Sequence, residues 1–569
     1  MEIRRRQAAA DIDTSQYGDL PDLLKRLYAH RDVRDPKSLD YGLAALESPA
    51  SLGGLEAAAE LLAKHFDGRI LIVGDFDADG ATSTALGLLA LRRMGATHVD
   101  FLVPDRFRFG YGLTPEIVAL AVKREPSLIV TVDNGISSIT GVQAAREAGI
   151  DVLVTDHHLP GARLPAANVI VNPNSPGDEF PSKALAGVGV MFYVLLALRK
   201  CLREQGEPGG DVNLAEWLDL VALGTVADVV PLDANNRRLV HQGLARIRAG
   251  EARPGILALI DVAGRSRQNM TASDLGFALG PRLNAAGRLD DMSIGINCLV
   301  ADDHSAALQL ATQLDEFNRS RRDIEQTMQD EALAAIDKLH LNEQGDHDLP
   351  TALCLFQEEW HQGVVGLVAS RIKERWHRPV IAFAPSDPGS ATLKGSARSI
   401  PGFHIRDALD TVATKHPGLI DKFGGHAMAA GLSLDRDKLD TFEAAFNAEA
   451  SRLLDKDDLK GVLWSDGELA AAELSLETAE LLRSAGPWGQ HFPEPLFDGE
   501  FGIAEQRIVG ERHLKLKLAG PGGQLLDAIA FGVGERLASD RVRAAFRLDV
   551  NEWRGRRSVQ LIVDHLEPR

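Results

Sequence analysis

The fold is decided by a stretch that reads RILIVGDFDADG at residues 69–80. Its apolar residues, 70–73, are consecutive rather than alternating, which is typical of a parallel strand covered on both faces. A glycine and an acidic turn follow, and residues 81–94 continue with the periodicity of a helix. A strand, a turn and a helix in this order predict the first half of a β-α-β unit.

The same pattern recurs as far as residue 154. Further apolar runs lie at residues 99–103, 128–132 and 152–154, and residues 139–148 have helical periodicity. Together these segments predict an α/β fold with a doubly wound parallel sheet. A domain of this kind carries its chemistry in the loops beyond the carboxyl ends of its strands, where this chain places Asp and His residues.

The rest of the chain changes character twice. Residues 302–341 are charged, helical in period and almost free of Gly and Pro, which predicts a long connecting helix, and a second α/β segment follows. Short strands at 514–518, 528–531 and 545–550 are spaced like those of a small β-barrel, for which an oligonucleotide-binding barrel is one candidate. The predicted domains are residues 1–301, 302–345, 346–455 and 456–569.

Composition excludes several classes of protein. The chain has 569 residues and a formal net charge of −19, which argues against coating nucleic acid by bulk attraction. It has neither an apolar stretch of about 18 residues nor the apolar core of a signal peptide, so a cytoplasmic protein is expected. Cys201, Cys298 and Cys354 lie far apart, which supports neither a disulfide framework nor a thiolate zinc site.

Acidic residues follow the first predicted strand at alternate positions, as Asp75, Asp77 and Asp79. Three carboxylates so close together repel one another, and a cation would relieve the repulsion. Taken alone, this turn is explained equally well as an acidic loop that caps a helix.

Three later clusters change that balance. Asp133 ends one strand within Asp-Asn-Gly, His157 and His158 end another within Asp-His-His, and Asp228 lies in an apolar context where an uncompensated carboxylate is costly. Carboxylates with one or two imidazoles and no thiolate suit Mg²⁺ or Mn²⁺, and Mn²⁺ accepts the nitrogen ligand more readily. The ligands suffice for two ions about 4 Å apart, the arrangement used for phosphodiester hydrolysis.

In this order and spacing the four clusters resemble the motifs of the DHH phosphoesterase superfamily: DFDADG at 75–80, DNG at 133–135, DHH at 156–158 and GTVAD at 224–228. The resemblance implies that Asp77, Asp79, Asp133, His157 and Asp228 bind metal and act in catalysis. It further implies that His158 contacts or protonates the scissile phosphate, and that Asp75 ligates a metal or orients a ligand.

The chain departs from the superfamily at Val73, where several members carry a histidine ligand. One of the two metal sites is therefore expected to be weaker, or to be completed by Asp75 and water.

Three further segments resemble the RecJ branch of the superfamily and its associated domain: GPRLNAAGR at 280–288, SARS at 396–399 and GGHAMAAG at 424–431. Arginines and close backbone approach at glycines suit phosphate binding, although close helix packing and solvated arginines explain the same residues. A basic and aromatic loop at 104–112 could bind a nucleic-acid strand through phosphate contacts and base stacking. It could equally be a loop whose aromatic side chains only fix its own position. The expected substrate contacts are Arg106, Tyr111, Arg282, Asn284, Arg288, Arg371, Ser396, Arg398, Gly425 and His426.

This resemblance implies a single-stranded-DNA-specific 5′→3′ exonuclease that releases 5′-mononucleotides in DNA repair and recombination. It also implies a monomer that receives its substrate from a single-stranded-DNA-binding protein or a RecQ-type helicase. Two alternatives stay open: a phosphodiesterase acting on cyclic dinucleotides or short oligonucleotides, and a scaffold whose metal site has decayed.

Overall fold

The computed structural model describes residues 1–104, 109, 111–342, 349–553 and 555–569, with the backbone alone for 335–342 and 553. These residues divide into two units. The first unit contains residues 5–317 and 464–569, and the second contains residues 1–4 and 318–463.

The first part of the chain builds the predicted parallel sheet. Its elements are β1 (Glu2–Arg5), α1 (Asp22–Ala29), α2 (Leu55–Lys64), β2 (Arg69–Val73), α3 (Ala78–Met94), β3 (His98–Leu102), α4 (Pro115–Val122), β4 (Leu128–Val132), α5 (Ile139–Glu147), β5 (Asp151–Thr155) and β6 (Val169–Val171).

The order of the strands in this sheet is β3-β2-β4-β5-β6, and every neighbouring pair is parallel. The strand order reverses between β2 and β4, so the loops after these two strands leave in opposite directions. Such a switch point leaves a crevice beyond the carboxyl ends of the strands, where ligands bind in open α/β sheets. Both β2 and β4 end in the acidic motifs described above.

Both faces of the sheet are covered, as the unbroken apolar runs predict. Ile70 and Ile72 belong to the core on one face, whereas Leu71 and Val73 belong to the core on the other face, with α4 and α5. Helix α3 begins three residues before the predicted start because the Asp77 side chain accepts a hydrogen bond from Gly80 N and caps it.

A helical region follows the sheet and packs against it. Its elements are α6 (Gly187–Glu204), α7 (Leu218–Ala227), α8 (Ala234–Ala249), α9 (Pro254–Val262), α10 (Ala272–Asp274), α11 (Gly280–Leu289) and α12 (Ser293–Val300). A π-helical turn, Leu275–Leu279, joins α10 to α11. The predicted connecting helix is confirmed as α13 (His304–Asn342), which runs from the first unit into the second.

The second unit contains a mixed sheet with the order β10-β11-β9-β8-β7. Its cores are filled from the sheet and its helices, and Phe383, Phe442 and Phe446 are buried there. The elements from here to the barrel are β7 (Leu353–Phe356), α14 (Val365–Trp376), β8 (Val380–Pro385), β9 (Thr392–Arg398), α15 (Ile405–Lys415), β10 (Lys422–Gly425), β11 (Ala429–Asp435), α16 (Leu439–Leu453) and β12 (Val462–Ser465).

The predicted C-terminal barrel is confirmed as a closed barrel with the strand order β13-β14-β15-β17-β16. Phe497, Phe501 and Phe546 are buried in it. Helix α17 (Leu476–Ala485) precedes the strands β13 (Phe497–Val509), β14 (His513–Ala519), β15 (Leu525–Ala530), β16 (Arg541–Trp553) and β17 (Arg556–Pro568). The predicted fold class is therefore confirmed, whereas the division into four domains stays a prediction.

All three cysteines are free. Among the described helices, none is long and apolar enough to cross a membrane.

Candidate metal centre

The predicted ligands of the first unit meet at the switch point of the sheet. Asp75 and Asp77 follow β2, Asp79 lies in the first turn of α3, Asp133 follows β4, His157 and His158 follow β5, and Asp228 directly follows α7. Within each of three sets, the ligand atoms lie within 4.8 Å of one another: Asp79, His157 and Asp228; Asp75, Asp77 and Asp133; Asp133, His157 and His158. The first two sets share no residue, so the site offers three ligands to each of two ions.

The imidazole of His157 is surrounded by carboxylates at coordination spacing. Its Nε2 lies 3.1 Å from Asp133 Oδ1, 3.4 Å from Asp228 Oδ2 and 4.0 Å from Asp79 Oδ2. Ligands at right angles around Mg²⁺, each about 2.1 Å from the ion, lie about 3 Å apart. His157 Nε2 and Asp133 Oδ1 are buried, yet neither forms a hydrogen bond with any described residue. A cation bound by both atoms would explain why two buried polar atoms lie so close together without a hydrogen bond.

The backbone at Asp133 is held in an uncommon conformation. Its φ is 60°, in the left-handed region that non-glycine residues rarely adopt. Strain of this kind persists where the surrounding structure imposes it, and such positions cluster at functional sites.

Helix α6 approaches the ligands end-on. The backbone amides of Gly187 and Val188 donate to Asp79 at 2.6 and 2.9 Å, so the start of the helix orients that carboxylate. A Cβ on Gly187 would lie 2.6 Å from the Cβ of Asp133, and a Cβ on Gly224 would lie 2.9 Å from Asp79 Oδ1. Both glycines therefore let the backbone come close to the ligands.

Burial, together with repulsion between the carboxylates, raises their pKa values. For Asp79, burial is the largest cause and the neighbouring Asp77 charge adds to it. The pKa of Asp79 therefore rises to about 7, although the hydrogen bonds from α6 act to lower it. Burial and the other carboxylates also raise the pKa values of Asp133 and Asp228 well above the usual range. Bound cations reverse this balance, because they stabilise the ionised carboxylates.

The two histidines are in different electrostatic environments. Burial, and then the charge of His158, lower the pKa of His157 to about 4, which leaves a neutral imidazole able to ligate a metal. A hydrogen bond with the Leu185 backbone orients this ring. Burial by itself lowers the pKa of His158, but its hydrogen bond to Asp156 and the charge of that carboxylate outweigh burial and raise it.

Asp156, which was not among the predicted site residues, fixes the position of His158. Its Oδ1 accepts from the backbone N–H groups of His157 and His158 and from His158 Nδ1, the last at 2.7 Å. The Tyr111 hydroxyl lies 3.1 Å from the same Nδ1 and donates to the Asp133 carbonyl. The first residue of Asp-His-His is therefore a support for the histidines.

Val73, the departure from the superfamily, is fully buried at the end of β2. Its carbonyl accepts a hydrogen bond from the Asn134 side chain, and its own side chain provides no ligand. Asp75 and Asp77 are the nearest acidic residues along the chain, and they complete a set with Asp133. The donor set, made only of carboxylates and imidazole, fits Mn²⁺ or Mg²⁺.

Helix α11 packs against the acidic loop rather than presenting all of its predicted contacts outward. Asn284 Oδ1 accepts from Ala78 N at 2.7 Å, and the buried Arg282 forms an ion pair with Asp315 at 2.8 Å. Arg288 is half-buried. Arg106 lies outside the described residues.

The remaining predicted contacts lie in the second unit. Arg398 donates to the Ser396 hydroxyl, and a Cβ on Gly366 would lie 2.8 Å from both side chains, so the backbone of α14 comes close to them. Among the described residues Arg398 has no carboxylate partner, whereas Arg371 is paired with Glu325 and Glu374.

Gly425 is the last residue of β10 and His426 directly follows it, and both are exposed. Gly425 has φ 143°, a conformation that favours glycine. These two residues are therefore accessible to a ligand.

A cavity of about 1020 Å³ lies in the first unit, between the helical region and the barrel. Its lining includes Phe277, which is 78% exposed and belongs to the π-helical turn. Val229, which follows Asp228, also lines the cavity and has φ 63°. The lining of the cavity thus includes the residue next to Asp228 in the chain, and neither Phe277 nor Val229 was expected from periodicity.

Three segments of the chain match known domain families. Residues 69–225 match the N-terminal domain of the DHH family, residues 350–452 match the DHHA1 domain, and residues 465–565 match the RecJ OB domain. These matches confirm the resemblance inferred from the motifs.

Whole-length relatives carry the same combination. A protein from Dickeya dadantii (strain 3937), the single-stranded-DNA-specific exonuclease RecJ, is 58% identical over 100% of this chain and 99% of its own. The crystal structure of RecJ with Mn²⁺ from Thermus thermophilus is 31% identical, with a TM-score of 0.81 over 99% of this chain and 79% of that one. The same organism's RecJ with Mg²⁺ is 29% identical, with a TM-score of 0.75 over 99% of this chain and 78% of that one.

Proposed function

Because the chain belongs to the RecJ family of single-stranded-DNA-specific exonucleases, we propose that it hydrolyses single-stranded DNA from the 5′ end and releases 5′-mononucleotides. One observation carries the chemistry: buried and half-buried carboxylates and an imidazole form two separate ligand sets at the switch point of the sheet. Their charges cannot be kept together at neutral pH without bound cations.

The proposal assigns each ligand set to one divalent ion, Mn²⁺ or Mg²⁺. Asp79, His157 and Asp228 would hold one ion, and Asp75, Asp77 and Asp133 would hold the other. Bound there, two ions would supply activation of a water molecule and neutralisation of charge on the phosphate.

His158 is the residue that we assign to the scissile phosphate. Its Nδ1 is engaged with Asp156, which leaves Nε2 to donate to a phosphate oxygen or to the leaving oxygen. The hydrogen bond between Nδ1 and Asp156 holds the ring in this orientation. Tyr111 would limit rotation of the ring, because its hydroxyl lies beside Nδ1.

The cavity beside Asp228 is the path that we propose for the strand behind its 5′ end. Phe277 offers an exposed aromatic face on which a base can stack, and stacking of this kind is worth about 1–3 kcal/mol per base. Arg248 and Arg265 also line the cavity and would contact the DNA backbone.

In the second unit, Arg398 and Ser396 are the phosphate contacts that the geometry supports best. The guanidinium has no acidic partner among the described residues, and Gly366 lets the backbone of α14 come close to it. Gly425 and His426 would add a backbone and an imidazole contact. Arg371 is the weaker candidate because two glutamates already neutralise it.

The proposal extends to the setting of the enzyme. A cytoplasmic monomer would act in repair and recombination, on strands delivered by a single-stranded-DNA-binding protein or by a RecQ-type helicase. The resemblance to the RecJ branch supports these partners.

The experiment that tests the proposal is digestion of long single-stranded DNA labelled at the 5′ or the 3′ end, with Mn²⁺, Mg²⁺ or EDTA. We expect metal-dependent, immediate release of the 5′ label as mononucleotide, while a blunt duplex is spared. Earlier loss of the 3′ label would contradict the proposed polarity, and the absence of any cleavage would contradict the proposal that the chain is an exonuclease. Competition by a cyclic dinucleotide at far lower concentration than DNA would favour a small-substrate phosphodiesterase.

A further inference from the structure

Residues 172–174, Asn-Pro-Asn, form a turn directly after β6, beside the Asp-His-His motif. Asn172 is 1% exposed and its Nδ2 donates to the His158 carbonyl at 2.9 Å. Asn174 is half-buried, and its Nδ2 donates to the His157 carbonyl at 2.6 Å. Each asparagine therefore holds the backbone of a different histidine.

These two bonds complete the support of the motif. Asp156 accepts from the backbone N–H groups of both histidines, and its own N–H donates to the Val171 carbonyl. With the two asparagine bonds, every backbone N–H and C=O of His157 and His158 has a partner in the protein. The histidine rings are thus presented from a backbone that cannot shift without breaking a hydrogen bond.

The turn itself is closed by local bonds. Asn172 Oδ1 accepts from Asn174 N at 2.7 Å, and the Lys183 ammonium donates to the Pro173 carbonyl at 2.6 Å. Asn174 Nδ2 also donates to the Lys183 carbonyl. An asparagine that only stabilises its own turn bonds to neighbouring backbone groups, whereas these two amides reach residues that are 14 and 17 positions away.

We propose that Asn172 and Asn174 are positioning residues for the reaction, with Asn174 acting through His157 and Asn172 acting through His158. The proposal rests on the proposed function, in which His157 binds metal and His158 contacts the scissile phosphate. It follows that the two asparagines control different steps although they are two residues apart.

Substitution by alanine should separate these steps. Asn174→Ala should weaken Mn²⁺ binding by about 10–100-fold, which is the usual effect of removing a partner of a metal ligand, while kcat recovers at saturating Mn²⁺. Asn172→Ala should leave Mn²⁺ affinity within about twofold of wild type and lower kcat by about 10–100-fold, because loss of a positioning contact misplaces the reacting group. Mn²⁺ affinity is measured on the full chain without DNA, by calorimetry and by the electron paramagnetic resonance of free Mn²⁺, and kcat and KM are measured on single-stranded DNA.

Asn168→Ala is the matched control. Asn168 lies in the loop just before β6 and makes two comparable bonds, to Asp151 and from Val152 N, at the end of β5 remote from the histidines. It should change neither Mn²⁺ affinity nor kcat. Asn172→Asp keeps the acceptor for Asn174 N but removes the donor to His158, so it should reproduce the kcat defect without opening the turn.

The outcomes separate positioning from a structural role. Equal losses of Mn²⁺ affinity and kcat in both alanine variants, or losses in Asn168→Ala as well, would overturn the proposal, as would wild-type behaviour of both variants. If the wild-type chain bound Mn²⁺ but did not cleave DNA, the proposed function would fail, and weakened Mn²⁺ binding by Asn174→Ala alone would still support the assignment to His157. Thermal unfolding of each variant identifies one that has not folded, in which case Asn174→Ser and Asn172→Asp provide the comparison.

Discussion

Substitution of Gly187 by alanine should slow catalysis although no ligand residue is replaced. The new Cβ would lie 2.6 Å from the Cβ of Asp133 and 2.9 Å from its Oδ1. Carbon atoms in contact prefer about 3.5–4.0 Å, so the start of α6 and Asp133 must separate by about 1 Å. The same movement withdraws the Gly187 amide from Asp79, which it now contacts at 2.6 Å.

The expected size of the effect follows from that displacement. A misplacement of about 1 Å in a catalytic group can cost about 100-fold in rate, or about 2.7 kcal/mol of activation free energy. Overpacking should lower the free energy of unfolding by about 1–3 kcal/mol, so rates are compared at a temperature well below the Tm of the variant. Single-stranded DNA binding, measured with Ca²⁺ or without metal, should stay within a few-fold of wild type.

The control is Gly161→Ala in the exposed loop after β5. A Cβ there meets no atom within 4 Å, and its φ lies outside the left-handed region, so wild-type kcat is expected. If Gly187→Ala folds and keeps kcat within twofold of wild type at saturating Mn²⁺, close approach of α6 to the ligands has no role in catalysis.

Three further measurements test other parts of the molecule. Asp133→Ala and His157→Ala should each lower the rate of cleavage by about 10³-fold or more, because a lost ion removes several kcal/mol of charge stabilisation. Binding of single-stranded DNA should stay detectable in both variants. Unchanged turnover would refute the assignment of these residues to the metal site. Phe277→Ala should raise KM for single-stranded DNA by about 10–100-fold with kcat nearly unchanged, since about 1–3 kcal/mol of stacking is lost. Phe277→Trp, which keeps an aromatic face, should stay close to wild type. An unaltered KM in Phe277→Ala would show that the DNA does not pass through the cavity. In the barrel, burial alone would raise the pKa of Asp498, but hydrogen bonds from Arg5, Ser465 and Arg543 lower it to about 2, against 3.8 for the unperturbed carboxyl. Asp498 should therefore contribute about 2 kcal/mol to the free energy of unfolding above pH 4, and this contribution should vanish as the pH falls through 2. Urea unfolding should show Asp498→Asn less stable than wild type at pH 6 and equally stable near pH 2, and a constant difference would contradict this account.

Much of the fold and of the candidate site could be predicted from local features of the sequence. Nearly continuous apolar residues at 70–73 and 128–132 predict covered parallel strands, because a strand buried on both faces has few positions for a polar side chain. The predicted ligands follow those strands directly, so the shared direction of the strands brings them to one edge of the sheet. Asp156 was within a quoted motif, but its role as a support for His158 depends on a side-chain geometry that spacing does not reveal.

For other predicted residues, the role in the structure is decided by contacts that the local sequence does not reveal. The arginine at position 282 suited a phosphate clamp in sequence, yet in the fold it is buried against Asp315. Asn284 lies 206 positions from Ala78, whose amide it holds. The exposed face of Phe277 follows from a π-helical turn, whose extra residue shifts the side chains out of the periodicity of an ordinary helix.

The sequence by itself determined the order of strands and helices, the identity of the metal-binding chemistry and the presence of a long connecting helix. These features depend on properties of neighbouring residues: apolar runs, helix caps and the repulsion of adjacent carboxylates. Only the tertiary structure decided that β2 and β4 lie side by side at the switch point, that α6 points its amides at Asp79, and that Asn172 and Asn174 hold the two histidines. Each of these contacts joins segments that are distant along the chain. The distance between two such side chains is set by the packing of the whole core, and the spacing of residues in the sequence does not determine it.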